Sequence, residues 1–114
     1  GSARMTPGFR LRARHVIHAV GPAWQGGDRG EPRLLAAAYR SEIRCAAEAN
    51  LASVAFPAIS TGIYGYPLGA ATEIAVRAVS HALREAPSIH RVVFACFSVE
   101  ALDAYRRAGV RVTR

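Results

Sequence analysis

The chain contains no lysine. All 15 of its Lys and Arg positions are arginine, against 8 acids, and the net charge is +7 over 114 residues. A basic surplus favours anionic partners such as nucleotides, nucleic acids and acidic polymers. Biased composition, with alanine also abundant, produces the same surplus, so charge alone selects no partner. No run of 18 apolar residues occurs, so no membrane-spanning helix is expected. The first fourteen residues carry arginines without an apolar core, which does not read as a secretory signal. Cysteine is scarce. Cys45 and Cys96 each sit in an apolar pattern and read as reduced, buried thiols of a cytoplasmic protein. No second Cys or His stands at ligand spacing, so neither a disulfide nor a metal pair is expected, and no cofactor is expected. His15 and His18, three apart on a strand, point to opposite faces and make poor joint ligands. Asparagine occurs once, at Asn50.

About half the residues are apolar, enough for one domain over residues 1–114 and too few for two. His15 to Val20 reads as a strand that stops at Gly21-Pro22. Gly26, Gly27 and Gly30 then make a loop. Glu31 and Pro32 suit the start of a helix, and Leu35, Tyr39, Glu42/Ile43 and Ala46 continue at helical spacing. Asn50 can close that helix with a left-handed residue. Ser53 to Pro57 is a second strand. Pro67 opens a second helix with Ala71, Ala75, Ala78/Val79 and Ala82/Leu83 on one face, and Pro87 stops it. On that helix Glu73 and Arg77 are spaced for an exposed ion pair. Arg91 to Phe97 is a third strand, Glu100 to Ala108 a third helix, and Val110 to Val112 suits a short last strand. Apolar strands alternating with helices predict an α/β fold with a mainly parallel sheet. Ligands of such sheets bind beyond the carboxyl ends of the strands. Two segments lie at that edge, Phe56 to Pro67 and Cys96 to Val99.

The first of these segments, "PAISTGIYGYPLG" from Pro57 to Gly69, is dense in chemistry. Gly62 and Gly65 allow positive φ and close backbone approach. Successive amides of such a turn can converge on an anion, and the helix that follows adds its positive end. Ser60 and Thr61 offer hydroxyls. Tyr64 offers a flat apolar face with a polar tip, suited to a sugar or base. A phosphate or diphosphate bearing a sugar is the ligand these groups suit. The same residues also suit a plain strand-to-helix turn whose tyrosines pack on neighbours. The string matches neither G-x-G-x-x-G nor the triphosphatase loop, and it lacks that loop's lysine.

"ISTGIYGYP", preceded by "VIHAVGPAW" and followed by "VVFACFSVEALDAYRRA", resembles the macrodomain family, most closely its MacroD-type branch. The similarity runs from about Ala3 to Ala108. It implies a three-layer α/β/α fold with a mostly parallel central sheet, whose N-terminal strands this chain lacks. It also implies binding of ADP-ribose or of an ADP-ribosylated protein. Many MacroD-like members hydrolyse mono-ADP-ribose from acidic side chains or deacetylate O-acetyl-ADP-ribose. By the same match, the amides of Ser60, Thr61, Gly62, Ile63, Tyr64 and Gly65 grip the diphosphate, and Tyr64 covers the distal ribose. Phe97 matches an aromatic near the adenine.

The family also carries an Asn-Ala-Ala-Asn segment and a Gly-rich loop leading into Val-Asp-Gly. These bring an asparagine to the distal ribose and, in the hydrolases, a catalytic aspartate. Neither segment is found here, so the catalytic residues are unknown. Asp28 follows the Val-Gly-Pro motif, where the family has a variable loop, and is not given the catalytic role. The chain thus resembles the C-terminal two thirds of the domain, and a complementing N-terminal fragment or self-association is expected to cover its open edge. Nucleic acid and membranes are not expected as partners. Two readings of function stand: an ADP-ribosyl hydrolase or deacetylase in the intact domain, and a non-catalytic ADP-ribose-binding module.

Overall fold

A computed structural model of the chain describes residues 25–56, 65–96 and 98–111, and the backbone alone at 3–7 and 15–19. Strand β1 (Ala3–Pro7) runs antiparallel to β2 (His15–Ala19), with Ala3 opposite Ala19 and Pro7 opposite His15. Helix α1 (Glu31–Glu48) leads to β3 (Ser53–Phe56), then α2 (Leu68–Leu83), β4 (Arg91–Phe94) and α3 (Val99–Arg107). β3 and β4 are parallel and in register, Ser53 with Arg91 and Phe56 with Phe94. Among the described residues no ladder joins the two strand pairs. α1 packs on α2 and on both β1 and β2.

α1 is amphipathic in the expected way. Leu35, Ala38, Tyr39, Glu42, Ile43 and Ala46 are buried on one face. Its end is a Schellman motif. Asn50 adopts φ 57, its N–H donates to Ala47 O at 2.9 Å, and Leu51 N–H donates to Ala46 O at 3.0 Å. Two orphan carbonyls of the last turn are thereby satisfied, and asparagine tolerates the left-handed backbone that this requires.

A chain of aromatic rings runs through the core and joins four elements. Tyr39 of α1 meets Phe56 of β3 at 5.3 Å between centroids, Phe56 stacks on Phe94 of β4 at 5.7 Å, and Phe94 stacks on Tyr105 of α3 at 4.7 Å. Each such pair adds about 0.5–1.5 kcal/mol beyond area burial. Because Phe56 and Phe94 are the last residues of their strands, this packing fixes the carboxyl edge of the sheet against α1 and α3. On α2, Ala75 is fully buried and Ala71 and Val79 nearly so. Small alanines let the helix lie close on its neighbours.

One element is added and two local expectations change. β1, which was not read from the sequence, carries Ala3, Met5 and Pro7 alternating with Arg4 and Thr6 and pairs with β2. Val110 and Arg111 are not in a strand; Val110 N–H instead donates to Tyr105 O at 3.0 Å, closing α3. Glu73 and Arg77 are both exposed and form no ion pair among the described residues. Both thiols are free and half-buried, and burial pushes each above its ordinary range. Among the described residues no helix is long and apolar enough to cross a membrane.

Candidate functional site

The carboxyl ends of β3 and β4 lie side by side, and Ala95 N–H donates to Phe56 O at 2.7 Å just beyond them. The chain therefore leaves the sheet at adjacent points, at Phe56 toward α2 and at Ala95 toward α3. Both candidate segments open from this one edge. Of the ligand-binding residues read from the sequence, Ser60, Thr61, Gly62, Ile63 and Tyr64 lie outside the described residues, as does Phe97. Gly65 is described. It is exposed, its φ is +70°, and nothing stands within 4 Å of where a Cβ would be. The left-handed backbone, not crowding, is what calls for glycine here.

Three helices begin at or near this edge, and they begin differently. α3 is capped by Ser98, whose hydroxyl accepts the Ala101 N–H at 3.0 Å. At α1 the Glu31 carboxylate gathers the loop before it. It accepts N–H bonds from Gln25 at 2.7 Å, Gly27 at 3.0 Å and Arg29 at 2.6 Å. Burial pushes this carboxyl up, but the amides of Gln25, of Glu31 itself, of Gly27 and of Arg29 outweigh it and hold the group down to about 2. α2 has neither device. Pro67 stands at its N-cap with no side-chain hydrogen bond, and its first turn carries no acid. Among the described residues nothing accepts from the amides of Leu68, Gly69 and Ala70, and the helix dipole favours an anion there.

Of the loop's two tyrosines, Tyr66 is 2 % exposed and belongs to the core cluster. Burial, and then the Glu31 charge, push its phenol up. Tyr66 is thus spent on packing. Two residues were not singled out from sequence. Glu31 reads there only as a helix-start acid; its recruitment of three loop amides depends on a loop that turns back. Thr72, one turn into α2, buries a hydroxyl that finds no partner among the described residues. Its only sequence signal is a polar residue on an alanine face. Among the described residues no group of three His, Cys, Asp or Glu side chains could hold a metal.

Glu31→Gln tests the loop device. The lowered carboxyl stabilises the fold above its unfolded range near 4.5, and that contribution is lost as pH falls through about 2. The variant is expected to melt a few degrees below wild type at pH 7 and level with it near pH 2. Thermal melts followed by circular dichroism would show this; equal melting at pH 7 would refute the assignment.

The macro domain family model matches residues 1–75. A macro domain-containing protein of Mesorhizobium japonicum is 51% identical over 108 residues, covering 95% of this chain and 61% of that protein. An O-acetyl-ADP-ribose deacetylase of Klebsiella pneumoniae is 50% identical over 107 residues, covering 94% of this chain and 61% of the enzyme. The Trypanosoma brucei macrodomain in complex with ADP-ribose superposes with a TM-score of 0.84 at 35% identity, over 95% of this chain and 45% of that one. The chain thus spans about three fifths of the length of these curated relatives. The α/β arrangement expected from sequence is the one the solved macrodomains share. On the strength of the family match and these relatives, the chain belongs to the macro domain family.

Proposed function

We propose that this chain binds ADP-ribose at the carboxyl edge of β3 and β4. The observation that carries the reading is the open start of α2, reached through the left-handed Gly65. An uncapped helix start has N–H groups and a positive dipole end to spend on a diphosphate. The amides of Ser60, Thr61, Gly62, Ile63, Tyr64 and Gly65 hold the diphosphate, Tyr64 covers the distal ribose and Phe97 lies by the adenine. The Trypanosoma brucei macrodomain is in complex with ADP-ribose, which supports this choice of ligand.

In the intact domain this site serves the removal of mono-ADP-ribose from acidic side chains or of the acetyl group from O-acetyl-ADP-ribose. The Klebsiella pneumoniae relative, an O-acetyl-ADP-ribose deacetylase, supports the second reaction. The loop's part is positioning and charge stabilisation: its amides fix the diphosphate and so orient the distal ribose toward an attacking water. The base that activates this water is the substrate phosphate or an aspartate from a segment that this sequence does not contain. A non-catalytic binding module needs only the first part of the mechanism, and this chain by itself holds that part.

Calorimetric titration of the 114-residue chain with ADP-ribose, with AMP as control, tests the proposal. One-to-one binding of ADP-ribose over AMP is expected; folded protein that binds neither would refute it. Tyr64→Ala is expected to weaken binding by about 1–2 kcal/mol through lost ribose contact, and unchanged affinity would leave Tyr64 with a packing role alone.

A further inference from the structure

α1 and α2 lie side by side and leave between them a recess of about 760 Å³. Its floor is apolar, with the small Ala36, Ala47, Ala78 and Ala82 beside Ile43 and Ile74. Its rim is charged in an ordered way. α2 joins the end of β3 to the start of its parallel neighbour β4, so it runs back from the carboxyl edge. α1 runs the same way, since its middle residue Tyr39 meets Phe56 while its end connects within five residues to Ser53. The two helices therefore point in one direction, and their side chains can be compared turn by turn. The middle of the recess is basic: Arg40 and Arg44, one turn apart on α1, face Arg77 and His81, one turn apart on α2. Both ends are acidic, with Glu73 one turn before Arg77, and Glu48 and Glu85 one turn after Arg44 and His81.

All of these charged groups are exposed, and none forms an ion pair with another described residue. Arg40 and Arg44 are like charges one turn apart on a helix, Arg44 has Glu48 one turn on, and no described residue forms an ion pair with either arginine. We propose that this recess is a docking groove for an amphipathic α-helix of a partner protein. That helix carries a small apolar stripe, acidic side chains in its central turns and basic ones toward its ends.

Three features select this occupant. The groove from Ala36 to Glu48 is about 18 Å long at 1.5 Å per residue, the span of three to four helical turns. An alanine floor lets a third helix axis approach to about 8–10 Å. The charge order excludes two alternatives. A second copy packed about a two-fold axis through the middle of the groove would set the arginines against their own copies. A continuous polyanion would meet Glu73 at one end and Glu48 and Glu85 at the other. The groove differs from the edge where ADP-ribose is placed, so it leaves that site open to ligand.

The probe is a fluorescein-labelled helical peptide of about 16 residues, long enough for four turns, with a Leu/Ala stripe, two glutamates in the central turns and lysines at both ends. Anisotropy titration with the full 114-residue chain is expected to saturate. Arg40→Glu with Arg77→Glu should weaken binding at least tenfold, and a peptide with central lysines should restore binding to that variant. Both arginines are exposed, and a circular dichroism melt confirms that the variant folds. Three results would overturn the proposal: no saturable binding, equal binding of both peptides by wild type, or binding unchanged in the double variant. Sedimentation showing a dimer that the double variant dissolves would overturn it too, by assigning the groove to a second copy.

Discussion

Gly65→Val is expected to raise the ADP-ribose dissociation constant at least about tenfold in calorimetric titration. Gly65 holds φ +70°, and no described atom stands within 4 Å of where a Cβ would be. The cost is in the backbone. A left-handed conformation costs an L-residue roughly 1–2 kcal/mol, and a β-branched one tolerates it worst. The loop relieves that strain by leaving the left-handed region, which re-aims the amides on either side. Each 1.4 kcal/mol is about a factor of ten in affinity, and misdirected amides add to the strain itself. Gly65→Asn is the control, since asparagine visits this region with its own local hydrogen bonds. The asparagine variant should keep most of the affinity that valine loses. Equal loss in both would mean that a side chain of any kind blocks the ligand. Equal retention would mean that the loop does not hold the diphosphate.

Much of this fold was legible because its signals are local. The α1 face, the Asn50 cap and the alanine face of α2 each follow from a period or a single residue preference, and each is found in place. β1 was not read from the sequence: Ala3, Met5 and Pro7 do alternate with Arg4 and Thr6, but five residues ending in proline are a weak strand signal without the pairing to β2. The Glu31 loop was hidden for a related reason: an acid beside a helix start looks the same whether it faces water or gathers three amides. At the site, the sequence predicted that glycines would serve the turn, and Gly65 has the positive φ which that reading requires. It did not mark Tyr66 as a core residue. Only packing shows that. The charge order of the α1–α2 groove was hidden as well, because each wall taken alone reads as an ordinary solvated helix face.

Glu42→Gln is expected to stabilise the protein by about 3 kcal/mol at pH 8 and to change nothing at pH 4. Glu42 lies on the apolar face of α1, buried between Tyr39 and Ile43, with no hydrogen bond or ion pair from a described residue. Burial alone pushes its carboxyl up from 4.5 to about 7. The sign follows from proton binding. Below pH 4.5 the carboxyl is neutral in both folded and unfolded chains and costs nothing. Between 4.5 and about 7 the unfolded chain releases its proton while the folded one keeps it, so stability falls as pH rises. Above that range the full cost remains, and at roughly 1.36 kcal/mol per pH unit it comes to about 3 kcal/mol. Glutamine has nearly the same shape and no charge to desolvate, so its melting curve should not fall over that range. The gap between the two proteins at pH 8 should be on the order of 10 °C in Tm. Glu31 acts in the opposite sense, supplying stability above 4.5 and losing it toward 2. The combined contribution of these two acids is therefore greatest near pH 4.5. A wild-type melting profile that is flat from pH 4.5 to about 7 would show that Glu42 is ionised and paired in the folded chain, and the stabilising effect of glutamine would vanish with it.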